Sequence, residues 1–478
     1  MFKKHVSACI LLQLLVLFVS VHAFSAQPVS ARDSVKLIRK GFIPKDKIFE
    51  LVYVPFEVPE GTTEIRVKES YDNMPLNVLN MGVYDAKGYQ DTAGFRGWSG
   101  GAKKDFFIKE ADASTGYIPG RIYPGIWNVL VYPSGIAPEG LNWTLEITLV
   151  SGKQQKIFEL MPAAQQINAV PGWYRGDLHM HTLHSDGRRT VEELVTEAKD
   201  KKLDYIISTE HNTNAANLSW GKYNSDQLLI INGEEVTSTK YGHWNAIGLD
   251  TKTLIDWRYA PEDHVIQKHI KKVHEDGGLA IINHPFYDKG DKTFQYDEKE
   301  FDGIEIWNGE WNVLNAAALK WWDDLLRKGI KKIAIGASDT HKASGSPNNL
   351  GIPQTVVFAK GLAKDAILEG IRKGKVYIAG NDEISLELSV SSGGKTVGIG
   401  EQLPVDGAVN AELHMVAKGC DNAVLTVIGD KGILGSTKLS GKVQTADLKI
   451  KRKSSSYIRV EIRNAEGKML ALTNPVWF

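Results

Sequence analysis

Ten of the thirteen histidines in this 478-residue chain lie between His179 and His341, none lies between Ala23 and Asp177, and only His414 follows. A fold for this chain must explain why imidazoles crowd its middle third. Two of them stand one residue apart in Gly176-Asp-Leu-His-Met-His-Thr-Leu-His-Ser-Asp-Gly187, at the end of an apolar stretch, with Asp186 five residues beyond His181. On a strand, positions i and i+2 point to one face, so His179 and His181 can aim both rings at one point. The pattern reads as a metal centre.

The surrounding pattern says what scaffold carries it. Residues 46–151 alternate apolar and polar positions between Gly and Pro punctuation, with no long helical period, and predict an N-terminal β-sandwich. Residues 152–171 read as a polar linker. From 172 to 380 strands alternate with amphipathic helices. Strands are predicted at 176–181, 203–208, 227–236, 241–249, 279–283, 303–307, 331–336 and 355–359. Helices are predicted from Thr190 (with Glu193 completing a capping box), at 262–275, 312–328 and 364–373. Mostly apolar strands between helices imply an α/β unit with a parallel sheet, open or closed. The ligand-type residues fall at one end of these strands, which favours a β/α barrel over an open doubly wound sheet. Residues 381–478 return to alternation and predict a second, C-terminal β-sandwich.

Composition narrows the partners. Lys plus Arg and Asp plus Glu are equal at 57 each, so no overall field favours nucleic acid or an anionic membrane. Lys3, Lys4, the apolar run 9–21 and small residues around Ala23 read as a signal peptide over 1–23, with cleavage after Ser25 as the alternative. The run is short for a membrane span. The chain is therefore expected to be secreted or periplasmic, with no stable membrane span after processing. Processing removes Cys9 and leaves Cys420 alone, so no internal disulfide forms and any metal must be held by imidazole and carboxylate.

Together with Ser208-Thr-Glu-His211, Gly233-Glu-Glu235, Gly242-His243, Asn283-His-Pro285 and Ser338-Asp-Thr-His341, the His179 segment resembles the PHP metallohydrolases. Gly172-Trp-Tyr-Arg-Gly-Asp177 resembles more narrowly their CehA/McbA-type branch. The resemblance covers about 172–380, with all six blocks in order. It implies a distorted (β/α)7 barrel holding up to three divalent ions, and imidazole and carboxylate donors suit zinc, manganese or iron. On this implication His179, His181, Glu235 and Asp339 hold the first ion. Glu235, His243 and His284 hold the second, with Glu235 as the bridge, and Asp186, His211 and His341 hold the third. Glu235, His243 and Asp339 are the catalytic candidates. Glu234 competes with Glu235 for the bridge. Glu210 departs from the family, where aspartate is more usual before the histidine.

Clustered imidazoles and carboxylates of this kind serve hydrolysis by metal-bound hydroxide, which needs no nucleophilic Ser or Cys. The implied function is a metal-dependent hydrolase, a phosphoesterase first and a carbamate, amide or carboxylic ester hydrolase second. A glycan-binding protein with an inert barrel is the reading from another class, resting on Trp98, Phe106 and Tyr117. Trp307, Asn308, Glu310 and Lys342 are the substrate-binding candidates, for a small-molecule or ester substrate. His184 lies inside the motif but outside the ligand pattern. His264, His269 and His274, spaced by five, share no helical face.

Overall fold

The computed structural model describes residues 34–478 apart from 154–155, 287–291, 342–347, 405–408 and 442. The signal segment and Lys342 lie outside the described residues. No helix among the described residues is long and apolar enough to cross a membrane.

The N-terminal part is built from two four-stranded sheets. One runs Ser34–Ile43, Leu141–Ser151, Thr62–Tyr71, Asp105–Lys109, and the other Val52–Val58, Gly125–Gly135, Val78–Tyr84, Phe95–Gly100. Every pairing is antiparallel. Alternate side chains such as Val54, Phe56, Ile65, Val67, Trp127, Val129, Leu145 and Ile147 meet in one core, as a period-two pattern demands. The strand Ser34–Ile43 precedes the predicted start at residue 46. It is an edge strand with nearly all of its residues exposed or half-buried, so its alternation is weak. Phe106 and Tyr117 are buried and stack at 4.0 Å between ring centroids, and Trp98 is buried too. These rings are therefore not an exposed glycan platform.

The middle of the chain departs from the parallel sheet of the expectation. Gly172–Asp177, Tyr205–Ile207 and Leu229–Ile231 do run parallel, but Gln354–Ala359 and Val376–Ala379 join them antiparallel. A second sheet orders Gly233–Ser238, Gly242–Ile247, Leu279–Ile282, Gly303–Asn308 and Ile333–Ala337, antiparallel in its first pairs and parallel in its last. The cause is the connections: only four α-helices occur among the described residues, Val191–Asp200, Ile266–Glu275, Val313–Arg327 and Lys364–Arg372. A hairpin needs no crossover helix and returns the chain antiparallel. The predicted strand 227–236 is in fact two, which break at Asn232 and enter different sheets. The Thr190 capping box is present, with Thr190 accepting from Glu193 N and Glu193 accepting from Thr190 N.

Both flanking parts are fused to this centre. Val376–Ala379 pairs with Met469–Thr473, so the strands Tyr457–Arg463, Val424–Gly429 and Gly432–Lys438 continue the central sheet. A four-stranded sheet (Lys395–Val397, Ser385–Ser392, Asn410–Lys418, Val443–Lys451) covers it, and Cys420 lies in the core between them, its thiol pushed up to about 11 by burial. Buried Asp323 of the third helix pairs with Arg459 at 2.9 Å, and Arg459 with Glu461 at 2.6 Å. On the other side Tyr84, Trp98, Leu130 and Tyr132 share a core with Trp244, Trp257 and Phe294.

One buried acid in the N-terminal sandwich gives a testable consequence. Glu69 is 2% exposed, neither carboxylate oxygen has a hydrogen-bond partner, and Lys104 Nζ stands 3.8 Å away. Burial, opposed by Lys104, pushes its pKa from 4.5 up to about 8. A raised acid binds its proton more tightly folded than unfolded, so its contribution is full below the unfolded value and is lost as pH rises towards the folded one. Melting at about pH 5 and about pH 8 is expected to show a loss on the order of a few kcal/mol that Glu69→Gln largely removes. An identical pH slope in the variant would sink this assignment.

Candidate metal centre

His179 and His181 lie just past the end of the strand Gly172–Asp177, not on it. Two backbone bonds hold them across to the second sheet: Asp339 N donates to His179 O at 2.8 Å, and His181 N to Thr340 O at 3.0 Å. On the other side Glu235 N donates to Glu210 O and Asn212 N to Glu235 O. Four chain segments are thus laced together at one point. Asp339 (φ 49°) and His284 (φ 23°) both sit in left-handed backbone, an unfavourable conformation for non-glycine residues that surrounding contacts must impose.

Five imidazoles surround the fully buried Glu235 carboxylate: His179 at 3.3 Å, His181 at 3.4 Å, His211 at 2.7 Å, His243 at 3.2 Å and His284 at 3.3 Å. Asp339 Oδ1 lies 3.3 Å from His179 Nε2 and 3.2 Å from His181 Nε2. Asp186 Oδ1 lies 3.2 Å from His341 Nε2 and 3.5 Å from His211 Nε2. All nine residues of the predicted ligand set therefore fall in one cluster. Its sub-groups within mutual ligand reach are His181, Asp186, His211 and His341; His179, His181 and Glu235; His179, His284 and Asp339; and Glu235, His243 and His284.

The donor set fits divalent ions. His179 Nε2, His181 Nε2, Glu235 Oε2 and Asp339 Oδ1 are buried without an aligned hydrogen-bond partner, which is costly unless something else satisfies them. Ligands about 2.0–2.1 Å from an ion in tetrahedral array stand about 3.3 Å from one another, and the spacings here fall near that value except the shorter His211–Glu235 contact. Electrostatics agree. Burial would raise the Glu235 carboxyl, but His179, His211 and His243 outweigh it and hold it well below the usual range. Asp339 and Asp186 are lowered against burial in the same way. Burial opposes protonation of His211, yet Glu235 and Asp186 raise it to about 9. His181, by burial and its neighbours His341 and His211, falls to about 4.

Sequence reasoning missed the group beneath the cluster. Glu305, 1% exposed, accepts from His179 Nδ1 at 3.1 Å and from His284 N at 3.0 Å. Asn308 Nδ2 donates to both Glu305 and Asp339 at 3.2 Å. The available signal was a lone glutamate inside the apolar strand Gly303–Asn308. Asn283 Nδ2 donates to Glu235 Oε1 at 2.9 Å. Glu210 accepts from Thr182 N at 3.1 Å, from Thr182 Oγ1, and from Ser185 Oγ at 2.5 Å, bracing the loop that carries Asp186. Glu234 turns to the other face of its strand and accepts from Ile255 N at 2.9 Å. His184, His264, His269 and His274 belong to none of the ion groups; His269 stacks on Tyr259 and His274 pairs with Asp302.

A cavity of about 800 Å³ opens over the cluster. Asp186, His211, His243 and His284 line it together with Lys240, Lys292 and Phe294, and the N-terminal sandwich contributes Asn80, residues 98–102 and Tyr132. The substrate-binding expectation needs correction here. Trp307 is 2% exposed, its indole nitrogen donating to Gly309 O, so it packs in the core. Asn308 orients carboxylates, and Glu310 is exposed outside the cavity lining.

No family model matches the chain. It is 28% identical over 150 residues to an uncharacterized protein of Methanocaldococcus jannaschii, an alignment covering 28% of this chain and 81% of that protein. A solved two-domain protein of Bacteroides vulgatus, described as containing a predicted PHP-like metal-dependent phosphoesterase, aligns with a TM-score of 0.39 and 20% identity over 68% of this chain and 100% of that one. An amidohydrolase of Chromobacterium violaceum, with sulfate bound and no metal, aligns with a TM-score of 0.28 and 16% identity over 36% of this chain and 90% of that one. Likeness this loose carries no weight about chemistry, which rests on the residues themselves.

A carboxylate behind a ligand histidine fixes its tautomer and orientation. Glu305→Gln is expected to weaken metal retention roughly 10–100-fold while leaving the melting transition in place. Competition with a chromogenic chelator measures it, and unchanged affinity would remove Glu305 from the centre.

Proposed function

We propose that this chain is a metal-dependent hydrolase of PHP-like type, a phosphoesterase in the first instance. The observation that carries the reading is the convergence of nine imidazole and carboxylate residues at ligand-to-ligand spacing, with four of their buried atoms, on His179, His181, Glu235 and Asp339, lacking an aligned hydrogen-bond partner. The sequence blocks that resemble the PHP metallohydrolases, and within them the CehA/McbA-type branch, support it, and a distorted (β/α)7 barrel is the parent of the two mixed sheets on this view. The basic, apolar N-terminus supports export to the periplasm or beyond.

Each part of the site has a task the geometry suits. His179, His181, Glu235 and Asp339 would hold one ion, His243 and His284 with Glu235 a second, and Asp186, His211 and His341 a third. Zinc, manganese or iron suits these nitrogen and oxygen donors. Such ions supply Lewis acidity and acidify a water towards pKa ~7. Glu305, Asn308 and Asn283 keep the ligands from turning away. Lys240 gives the cavity wall a cation that draws an anionic ester inwards. The cavity is far larger than a phosphate group and falls in the ordinary range for small-molecule sites.

Elemental analysis of the purified protein, paired with hydrolysis of bis(p-nitrophenyl) phosphate, p-nitrophenyl phosphate and p-nitrophenyl acetate, tests the proposal. Two or three ions per chain and chelator-sensitive phosphate ester cleavage are expected. Glu235→Gln and Asp339→Asn should each lower kcat about 100-fold or more and release metal, whereas Lys240→Ala should raise KM for the phosphate esters alone. Cleavage of the carboxylic ester only would transfer the activity to the carbamate and carboxylic ester class. A chain that takes up no metal would end the hydrolase reading.

A further inference from the structure

Asp186 is the most exposed of the nine ligands, its side chain 44% accessible. It rides on a loop outside any strand or helix. Glu210 braces that loop from within. From without, the N-terminal sandwich reaches over it. Lys103, in the turn between Phe95–Gly100 and Asp105–Lys109, donates from Nζ to Leu183 O at 2.6 Å and to Ser185 O at 3.2 Å. Thr213 Oγ1 donates to Gly116 O of the sandwich at 3.0 Å. Gly116 itself passes so close that a Cβ there would stand 2.4 Å from His184 O.

We propose that Lys103 is a positioning residue for the ion group of Asp186, His211 and His341, so that a side chain of the N-terminal sandwich completes the metal centre of another part of the fold. The inference rests on the hydrolase reading above. Two carbonyls that bracket the turn before Asp186 converge on one ammonium, which fixes the turn and therefore the carboxylate. Without it the two carbonyls turn to water, and Asp186 loses its fixed distance from the imidazoles of His211 and His341. A merely structural lysine would affect the melting transition and all the ions alike. A positioning lysine affects the Asp186 group alone.

The test is a titration of the full metal-free chain with Mn(II), followed by the paramagnetic resonance of the free ion, for the parent, Lys103→Met and Lys103→Arg. The expected result is a parent that binds several ions, and a Lys103→Met chain in which the weakest of them binds about tenfold or more worse while the others are unchanged. Lys103→Arg, which keeps a donor for both carbonyls, should recover most of the loss. The melting temperature should stay near that of the parent, and Lys103→Gln replaces Lys103→Met where the latter does not fold. Unchanged binding of every ion, or equal weakening of all of them with a lower melting temperature, overturns the proposal. A parent that binds no Mn(II) or other divalent ion overturns the hydrolase reading with it, whereas a binding parent and an unaffected variant overturn only the role of Lys103.

Discussion

The buried carboxylate of Glu235 is the point on which this structure depends. A carboxylate taken out of water costs several kcal/mol unless positive charge or hydrogen bonds compensate it. Here His179, His211 and His284, whose protonation the neighbouring carboxylates favour, supply that compensation, and Asn283 adds one amide donor. The five imidazoles around it come from four separate stretches of the chain, so they gather only when the two central sheets are fully assembled. The same crowding that folds the centre also favours a metal, because protons held on His179 and His211 by neighbouring carboxylates are what a divalent ion would displace.

The backbone is bent to serve this point. Hydrogen bonds between strand ends link the two sheets beside the ligands, and the isolated bridges Met180 to Thr340 and His211 to Glu235 fall beside or within the cluster. Asp339 and His284 take left-handed backbone there, an expense tolerated at functional sites because neighbouring contacts impose it. Gly187 is the complementary case. A Cβ at that position would stand 2.3 Å from His181 O, so the loop carrying Asp186 can fold back over the His179 segment only with a glycine there.

Much of the candidate centre was legible in the sequence because a metal site would demand imidazole and carboxylate residues just past strand ends. His-x-His, Asp-x-His and the glutamate pair after Gly233 read as ligands before any geometry was known. Glu305 did not, because one acid in an apolar strand carries no mark of what it faces. Trp307 was misread for a related reason. Position at the right end of a strand does not reveal which face a side chain takes, and Trp307 faces the core. Strand direction was also hidden: an apolar run reads alike in parallel and antiparallel sheets, and the run across Asn232 concealed a change of sheet. The role of the N-terminal sandwich left no local trace, since Asn80, Trp98 and Tyr132 meet the cavity through contacts across long stretches of chain.

Those long-range contacts change how the flanking parts should be understood. Independent modules would meet the centre through polar, hydrated surfaces. Instead Tyr84, Trp98, Leu130 and Tyr132 share one apolar core with Trp244 and Trp257, and the C-terminal strands extend a central sheet. Asn474 goes further, both accepting from Ala334 N and donating to Ala334 O at 2.8 Å, as a neighbouring strand would. Ala334 belongs to the strand that ends just before Asp339, so the C-terminal part steadies one ligand while the N-terminal part walls the cavity above another. A centre built from loop-borne ligands needs rigid support on several sides, and in this chain both sandwiches provide it.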